Sequence, residues 1–224
     1  MIVFTACFTI FVSSFIIALS GAMMPGPLLT VTIGESSRRG FMAGPLLITG
    51  HAILELLLLA ALLLGLAPWL QRPVVFAATA LTGSLILLCM AFNMFRSLPS
   101  LSLQREGQQT TENHLLINGI LMSAANPYWI IWWATIGLGY IMYSRQFGLW
   151  EIVFFFAGHI LADLSWYSLV SAAVARGRNF FSDRLYRGVL FFCAAFLVVF
   201  ACYFACAGWG KLVAGENPAV PFFK

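Results

Sequence analysis

Six apolar runs, each long enough to cross a lipid bilayer as a helix, dominate this 224-residue sequence. The hydrocarbon core of a bilayer is about 30 Å thick, so a spanning helix needs roughly 20 apolar residues. The chain is 61% hydrophobic and only 9% charged, with a mean hydropathy of +0.92. No polar segment is long enough to form a soluble domain, so the sequence predicts an all-α polytopic membrane protein with six transmembrane helices. The predicted spans are 2–34, 41–67, 74–95, 116–143, 151–175 and 189–209.

The N-terminal run is interpreted as a retained span rather than as a signal peptide. Residues 2–21 are apolar, no Lys or Arg precedes them, and more hydrophobic sequence follows at once. A secretory signal peptide instead has a positively charged segment before its apolar stretch. The net charge of +4 does not indicate nucleic-acid binding, because in a membrane protein the position of Lys and Arg chiefly sets orientation.

Lys and Arg are divided unevenly between the two sets of loops. Eight of the 12 fall in the first, third and fifth loops, and four fall in the other loops and the tail. Because cytoplasmic loops carry an excess of these residues, the bias predicts that both termini face outward. The eight are Arg38, Arg39, Arg96, Arg105, Arg176, Arg178, Arg184 and Arg187, and the four are Arg72, Arg145, Lys211 and Lys224.

The two halves of the chain share two sequence features in the same order. Residues 23–27 (MMPGP) and 124–127 (AANP) each place helix-breaking residues inside an apolar run, and residues 50–55 (GHAILE) correspond to 158–163 (GHILAD). Three spans in each half would make the halves an inverted-topology repeat, with broken first and fourth helices. The predicted organisation is a three-helix repeat at 1–95, a cytoplasmic linker at 96–115, a second repeat at 116–210 and a tail at 211–224.

The paired breaks predict where a solute binds. Pro25, Gly26 and Pro27 interrupt the first span, and Asn126 and Pro127 interrupt the fourth. Proline removes a backbone donor and clashes with the preceding turn. Broken helix survives in lipid only where protein buries it or where it lines a wet cavity. Secondary transporters use such half-helix ends to hold substrates near mid-membrane, whereas the alternative is a packed proline kink without a ligand.

Four polar residues lie deep in the second and fifth spans. His51 precedes Glu55 by four residues, and His159 precedes Asp163 by four, so each pair shares one helix face. Intramembrane acids are costly and usually mark ion pathways. The residues could exchange protons or bind a cation directly, or each pair could order helix packing. As a transport cluster, all four should lie close together. The other six acids, Glu151 among them, are assigned to loops or helix ends.

Several aromatic residues lie near the predicted site, and the five cysteines do not form a recognisable motif. Trp129 begins the run WIIWW directly after the second break and could contact a cationic amine, or it could be packing. Trp166 and Tyr167 could border the same site. The five cysteines lie in apolar runs without a CxxC pair, so they are interpreted as small hydrophobic residues rather than metal ligands or redox pairs.

The sequence resembles the lysine-exporter (LysE) family. The resemblance rests on GAMMPGP at residues 21–27, followed by RRGFMAGPLLITGHA at 38–52, and it extends to Gly83 and to Asn126–Pro127. It implies an exporter of amino acids or related small zwitterionic or cationic solutes that uses the proton gradient. It also implies that Pro25, Gly26, Pro27, Asn126 and Pro127 are motif positions.

Two other transport functions remain open. The wider superfamily includes divalent-metal transporters, and His51, Glu55, His159 and Asp163 could form a mixed nitrogen and oxygen site. It also includes thiol–disulfide carriers, which need a cysteine pair near the prolines. Enzyme motifs such as HExxH and GxSxG are absent from the sequence. The expected partners are a small-molecule substrate, the bilayer of a prokaryotic plasma membrane and, as an option, further copies of the chain, with no cofactor and no nucleic acid.

Overall fold

The computed structural model describes residues 2–70, 72–100, 112–177 and 183–213, and these form helices without any strand. Five helices are long and apolar enough to cross a membrane, and a bent helix pair makes a sixth candidate span. The six predicted runs therefore correspond to six candidate spans. The helices are α1 (Ile2–Ala22), α2 (Pro27–Arg39), α3 (Ala43–Ala61), α4 (Ala67–Leu70), α5 (Pro73–Ser97), α6 (Glu112–Ala124), α7 (Pro127–Trp132), α8 (Leu138–Arg145), α9 (Leu149–Gly177) and α10 (Asp183–Val213).

The first predicted span is interrupted as its sequence indicates. Helix α1 ends at Ala22, and α2 starts at Pro27 after the extended residue Gly26. A proline suits the first helical position, where the backbone N–H has no partner within the helix. Helix α2 ends at Arg39 and is followed by the capping residue Gly40, whose positive φ of 86° glycine adopts readily.

The fourth span is bent by 65° between His114–Ala124 and Pro127–Arg145. Asn126 is extended, and its side-chain oxygen accepts the Tyr128 N–H at 3.1 Å, which caps the new helix. The second half of this span contains a π-helical segment, Trp133–Gly137, between α7 and α8. A second π segment, Leu62–Leu66, separates α3 from α4 and contains a kink at Gly65, where φ is 112°.

Glycines bring two helix pairs into close contact around the centre. Gly50 of α3 lies against the backbone of Leu116 in α6, and Gly119 of α6 lies against Leu47. In the other half, Gly158 of α9 lies against the backbone of Phe11 in α1. Small residues allow helix backbones to approach this closely in membrane proteins, where van der Waals packing rather than the hydrophobic effect holds helices together. The two GH phrases thus occupy equivalent packing positions.

The remaining long helices, α5 and α10, pack on each other beside this centre. Their contact is made largely of small and medium side chains, including Ala80, Ala91 and Ala201, with Leu87 and Leu197 between them. On the outer surface of the protein, large apolar side chains point outward, as membrane-facing residues do. Examples are Leu64, Phe92, Leu169 and Val199.

Burial adds to two assignments made from the sequence. Glu151 lies at a helix end as expected, in the first turn of α9, but it is only 2% exposed, whereas Leu149 and Trp150 of the same turn face outward. Hydropathy does not reveal which side of this turn is packed. Cys89, Cys202 and Cys206 are exposed on helix surfaces, and Cys7 and Cys193 are buried. Most of the predicted linker and tail lies outside the described residues, as do Arg105, Arg178 and Lys224.

Candidate functional site

Four buried polar side chains from α3 and α9 meet in the centre of the protein, and we call them the His–acid cluster: His51, Glu55, His159 and Asp163. His51 Nε2 lies 3.1 Å from Glu55 Oε1 and 3.6 Å from Asp163 Oδ2. His159 Nε2 lies 2.9 Å from Glu55 Oε2 and 3.5 Å from Asp163 Oδ2. The two His-x-x-x-acid phrases therefore form one group, because the two helix faces that carry them oppose each other.

Glu55 is held by hydrogen bonds from two tryptophans. Trp129 Nε1 donates to Glu55 Oε1 at 3.0 Å, and Trp133 Nε1 donates to the same oxygen at 2.8 Å. An indole N–H is only a donor, so both bonds require Oε1 to be an acceptor. The break before α7 matters here, because it redirects the chain so that this WIIWW segment faces the acid.

His51 is oriented by a serine from the neighbouring helix. Its Nδ1 lies 2.7 Å from Ser123 Oγ, and Ser123 Oγ lies 2.7 Å from the Gly119 carbonyl oxygen. The single hydroxyl hydrogen is used by the carbonyl, so the serine accepts from His51 Nδ1. The Nε2 atom faces the carboxylates of Glu55 and Asp163, so a proton on this nitrogen or on one of the acids would be shared among them.

His159 and Asp163 are less completely satisfied. Within the described residues, neither His159 Nδ1 nor Asp163 Oδ2 has a hydrogen-bond partner, and both atoms are buried. The His159 ring lies 4.6 Å from the Trp132 ring and 5.4 Å from the Trp133 ring, between centroids. Buried polar atoms are normally paired, so these two atoms are the least satisfied part of the cluster.

Two cavities adjoin the cluster and the helix breaks. The cluster lines the first, of about 70 Å³, together with Asn126 and Trp129. The second, of about 50 Å³, is bounded by the first break, at Pro25, Gly26 and Pro27, and again by Asn126. The cavities share a wall, which consists of Gly21, Leu28, Asn126, Tyr128 and Tyr167. A water needs about 10–15 Å³ of such space, so each cavity has room for several waters or one small polar group.

The second cavity faces a helix start that has no side-chain cap. Gly26 is the capping residue of α2, and no side chain accepts from the first N–H groups of that helix. Pro27 and Leu28 of this first turn line the cavity. Free N–H groups and the helix dipole favour negative charge at such a position. The second cavity would therefore favour an anionic group, whereas the two carboxylates of the cluster would favour a cationic group in the first.

The ten residues predicted as a site occupy three kinds of position. His51, Glu55, His159, Asp163, Trp129 and Asn126 line the first cavity, and Pro25, Gly26 and Pro27 line the second. Pro127 is buried and lines neither, because its ring packs against Gly83 of α5. Trp129 donates its indole N–H to Glu55, so its contacts are not limited to the ring-face contact predicted from the sequence.

Sequence reasoning missed Ser123, and it singled out the WIIWW run without predicting the hydrogen bond from Trp133 to Glu55. Ser123 lies three residues before Asn126, in a run of small residues that carries no distinctive pattern. Trp133 belongs to the WIIWW run, and only its spacing of four from Trp129 could have indicated a shared target. Tyr167 lines both cavities, whereas Trp166 lines neither and has a buried Nε1 without a partner in the described chain.

Broken spans that meet beside buried charged groups define a membrane transporter rather than an enzyme. The family model described as "LysE type translocator" matches residues 19–208, which is most of the chain. The protein therefore belongs to the LysE translocator family, whose members move small solutes out of cells, and it is an integral membrane protein with several spans. No curated protein and no solved structure matches the chain.

Proposed function

We propose that this translocator exports an amino acid or a similar small zwitterionic or cationic solute, coupled to protons, and binds it between the two helix breaks. The observation that carries the proposal is the pair of adjoining cavities with opposite charge preference. A zwitterion has its ammonium and carboxylate groups a few bonds apart. Its carboxylate would bind at the uncapped start of α2, and its ammonium group would bind at the His–acid cluster.

Proton coupling is supported by the composition of the cluster. One ligand atom from each of two imidazoles and two carboxylates lies within 4.8 Å of the others, so these groups are close enough to share protons. Histidine changes its charge near neutral pH, and a cationic substrate entering the cluster would change the protonation that these contacts favour. Each transport cycle would then exchange substrate against protons at one place.

The experiment is transport into and out of proteoliposomes with an imposed pH gradient. A panel of radiolabelled amino acids identifies the substrate, and each hit is compared with its decarboxylated amine and its deaminated acid at equal concentration. We expect the complete amino acid to compete at least tenfold better than either analogue, because only it fills both cavities. Loss of both carboxylates, in Glu55→Gln with Asp163→Asn, should abolish transport.

The matched control is Glu35→Gln, which removes an acid outside the cluster. Glu35 pairs with Arg39 at 2.6 Å near the end of α2, where both side chains are partly exposed. Glu35 lines neither of the two cavities, so transport should remain near the level of the unmodified protein. Full transport by the double variant of Glu55 and Asp163 would contradict the role proposed for the cluster.

A second candidate is transport of a divalent metal ion. Four ligand atoms of the cluster lie within 4.8 Å of one another, and His51 Nε2 and His159 Nε2 are 3.6 and 3.5 Å from Asp163 Oδ2. Ligands about 2.0–2.2 Å from a tetrahedral ion have similar separations. Against it, Glu55 Oε1 is already occupied by two indole donors. Calorimetric titration with Zn²⁺, Mn²⁺ and Co²⁺ separates the candidates, because metal transport requires binding that is lost in His51→Ala.

The thiol–disulfide alternative receives no support from the lining of the cavities. No cysteine is among the described residues that line either one, and Met24 occupies the position beside Pro25. Transfer of a disulfide needs a thiolate that reaches its partner. A variant with all five cysteines replaced by serine should therefore transport as the unmodified protein does.

We also propose that the protein lies in the plasma membrane of a prokaryote with its first, third and fifth loops in the cytoplasm. The positive-inside bias supports this orientation, and the equivalent packing of Gly50 and Gly158 supports a division into two inverted repeats, 1–95 and 116–210. A homo-oligomer remains an option that size analysis in detergent would test.

A further inference from the structure

We propose that the two acids of the His–acid cluster have different tasks. Asp163 would receive the cationic group of the solute, and Glu55 would be a positioning residue that fixes the histidines and the indoles around it. This inference rests on the proposed transport of a zwitterionic or cationic solute. It adds that the cationic group binds to the acid of α9 rather than to the acid of α3, although the two His-x-x-x-acid phrases look alike in sequence.

The contacts of Glu55 leave little of its carboxylate free. Oε1 accepts from Trp129 and Trp133 and lies 3.1 Å from His51 Nε2, while Oε2 lies 2.9 Å from His159 Nε2. The side chain is 1% exposed. Replacing these contacts by those of a solute would break several hydrogen bonds to a charged group, each worth about 1.5–3 kcal/mol.

Asp163 has the opposite character. Its Oδ2 lacks a hydrogen-bond partner in the described chain, and both nearby imidazole nitrogens lie at 3.5 Å or more. The residue is 6% exposed and lines the first cavity. A buried carboxylate whose nearest donors lie this far away is weakly stabilised, and an ammonium group in this cavity would supply a closer donor.

The two histidines also differ in whether Nδ1 has a hydrogen-bond partner, and the packing register of the two halves explains this difference. Gly158 lies against Phe11 as Gly50 lies against Leu116, and Ser14 contacts the Phe155 carbonyl as Gly119 contacts that of Leu47. This register separates equivalent positions of α1 and α6 by 105 residues.

The same register makes Ala18 the counterpart of Ser123. His51 Nδ1 therefore has a hydroxyl partner, while Ala18 offers none and His159 Nδ1 is unpaired among the described residues. Both Ala18 and His159 line the first cavity. The open polar atoms thus belong to α9, and the satisfied ones belong to α3.

The test uses methylammonium as a probe of the cationic group alone. Its dissociation constant is measured through the concentration dependence of the thermal unfolding temperature, since a ligand stabilises the folded state by mass action. We expect Asp163→Asn to weaken methylammonium binding at least tenfold and to leave the unfolding temperature without probe nearly unchanged. We expect Glu55→Gln to lower the unfolding temperature and to change the affinity by less than about threefold.

Two further variants test the same division of tasks between Asp163 and Glu55. Trp133→Phe removes one donor to Glu55 and should lower the unfolding temperature while methylammonium affinity is retained, so it substitutes for Glu55→Gln if that variant does not fold. Ala18→Ser offers His159 the hydroxyl that Ser123 offers His51, and it should weaken methylammonium binding severalfold without loss of stability.

The outcomes separate this inference from the proposed function. Equal weakening in Asp163→Asn and Glu55→Gln, weakening only in Glu55→Gln, or failure of Asp163→Asn to fold would overturn the division of tasks. If the unmodified protein transports an amino acid but methylammonium does not protect it, the inference fails and the proposed function stands. If no amino acid or amine is transported or bound, both fail.

Discussion

Two glycines that precede the cluster histidines determine how closely the helices approach. A Cβ at Gly50 would overlap the carbonyl group of Leu116, and a Cβ at Gly158 would overlap that of Phe11. At Gly50 the obstacle is backbone alone, and at Gly158 it is backbone together with the Ser14 hydroxyl. Backbone cannot move aside as a flexible side chain can. The glycines therefore bring α3 against α6 and α9 against α1, which places each histidine one residue away from a close helix crossing.

At this scale we expect Gly50→Ala and Gly158→Ala to destabilise the protein. Forcing a methyl group into a tight contact typically costs about 1–3 kcal/mol, so the thermal unfolding temperature should fall by several degrees. The control is Gly139→Ala in α8, where nothing lies within 4 Å of the added Cβ. Alanine has the higher helix propensity, so Gly139→Ala should be neutral or stabilising, and an equal fall there would contradict the role given to the crossings.

Among the helical elements, the break between α6 and α7 depends on an asparagine cap and on packing from α5. The Asn126 side chain accepts the Tyr128 N–H, and the Pro127 ring fits against Gly83. These contacts fix the direction in which α7 starts. That direction matters because α7 and the π segment after it carry the tryptophans that hold Glu55.

We expect Asn126→Ala to lower the free energy of unfolding by about 1 kcal/mol, the usual cost of losing an N-cap. Asn126→Ser should retain most of it, because serine caps helices about as well as asparagine. The measurement is thermal unfolding in detergent, with tryptophan fluorescence to report the surroundings of Trp129 and Trp133. Indistinguishable stability of the alanine and serine variants would contradict a structural role for the cap.

For the whole molecule, orientation in the membrane can be tested at two matched phenylalanines. Phe41 lies in the loop between α2 and α3 and is 47% exposed, and Phe147 lies in the loop before α9 and is 45% exposed. With the native cysteines replaced by serine, each is changed to cysteine. We expect a membrane-impermeant maleimide to label Phe147→Cys in intact cells, and Phe41→Cys only after permeabilisation. The reverse pattern would contradict the predicted orientation.

The hydropathy, the helix-breaking residues and the charges of the sequence by themselves determined the helical spans, the helix breaks and the candidate acids. Backbone groups in lipid must be paired within each segment, so long apolar runs predicted helical spans, and proline and glycine predicted both breaks. Acids in such runs are costly, which selected Glu55 and Asp163 as candidates. Only the tertiary structure decided that two phrases 108 residues apart form one cluster and that Ser123 and Trp133 complete it. The same holds for the difference between Glu55, which accepts several hydrogen bonds, and Asp163, whose Oδ2 has no hydrogen-bond partner in the described chain. Those features depend on which helix faces meet and at what register, and local sequence does not encode that geometry by itself.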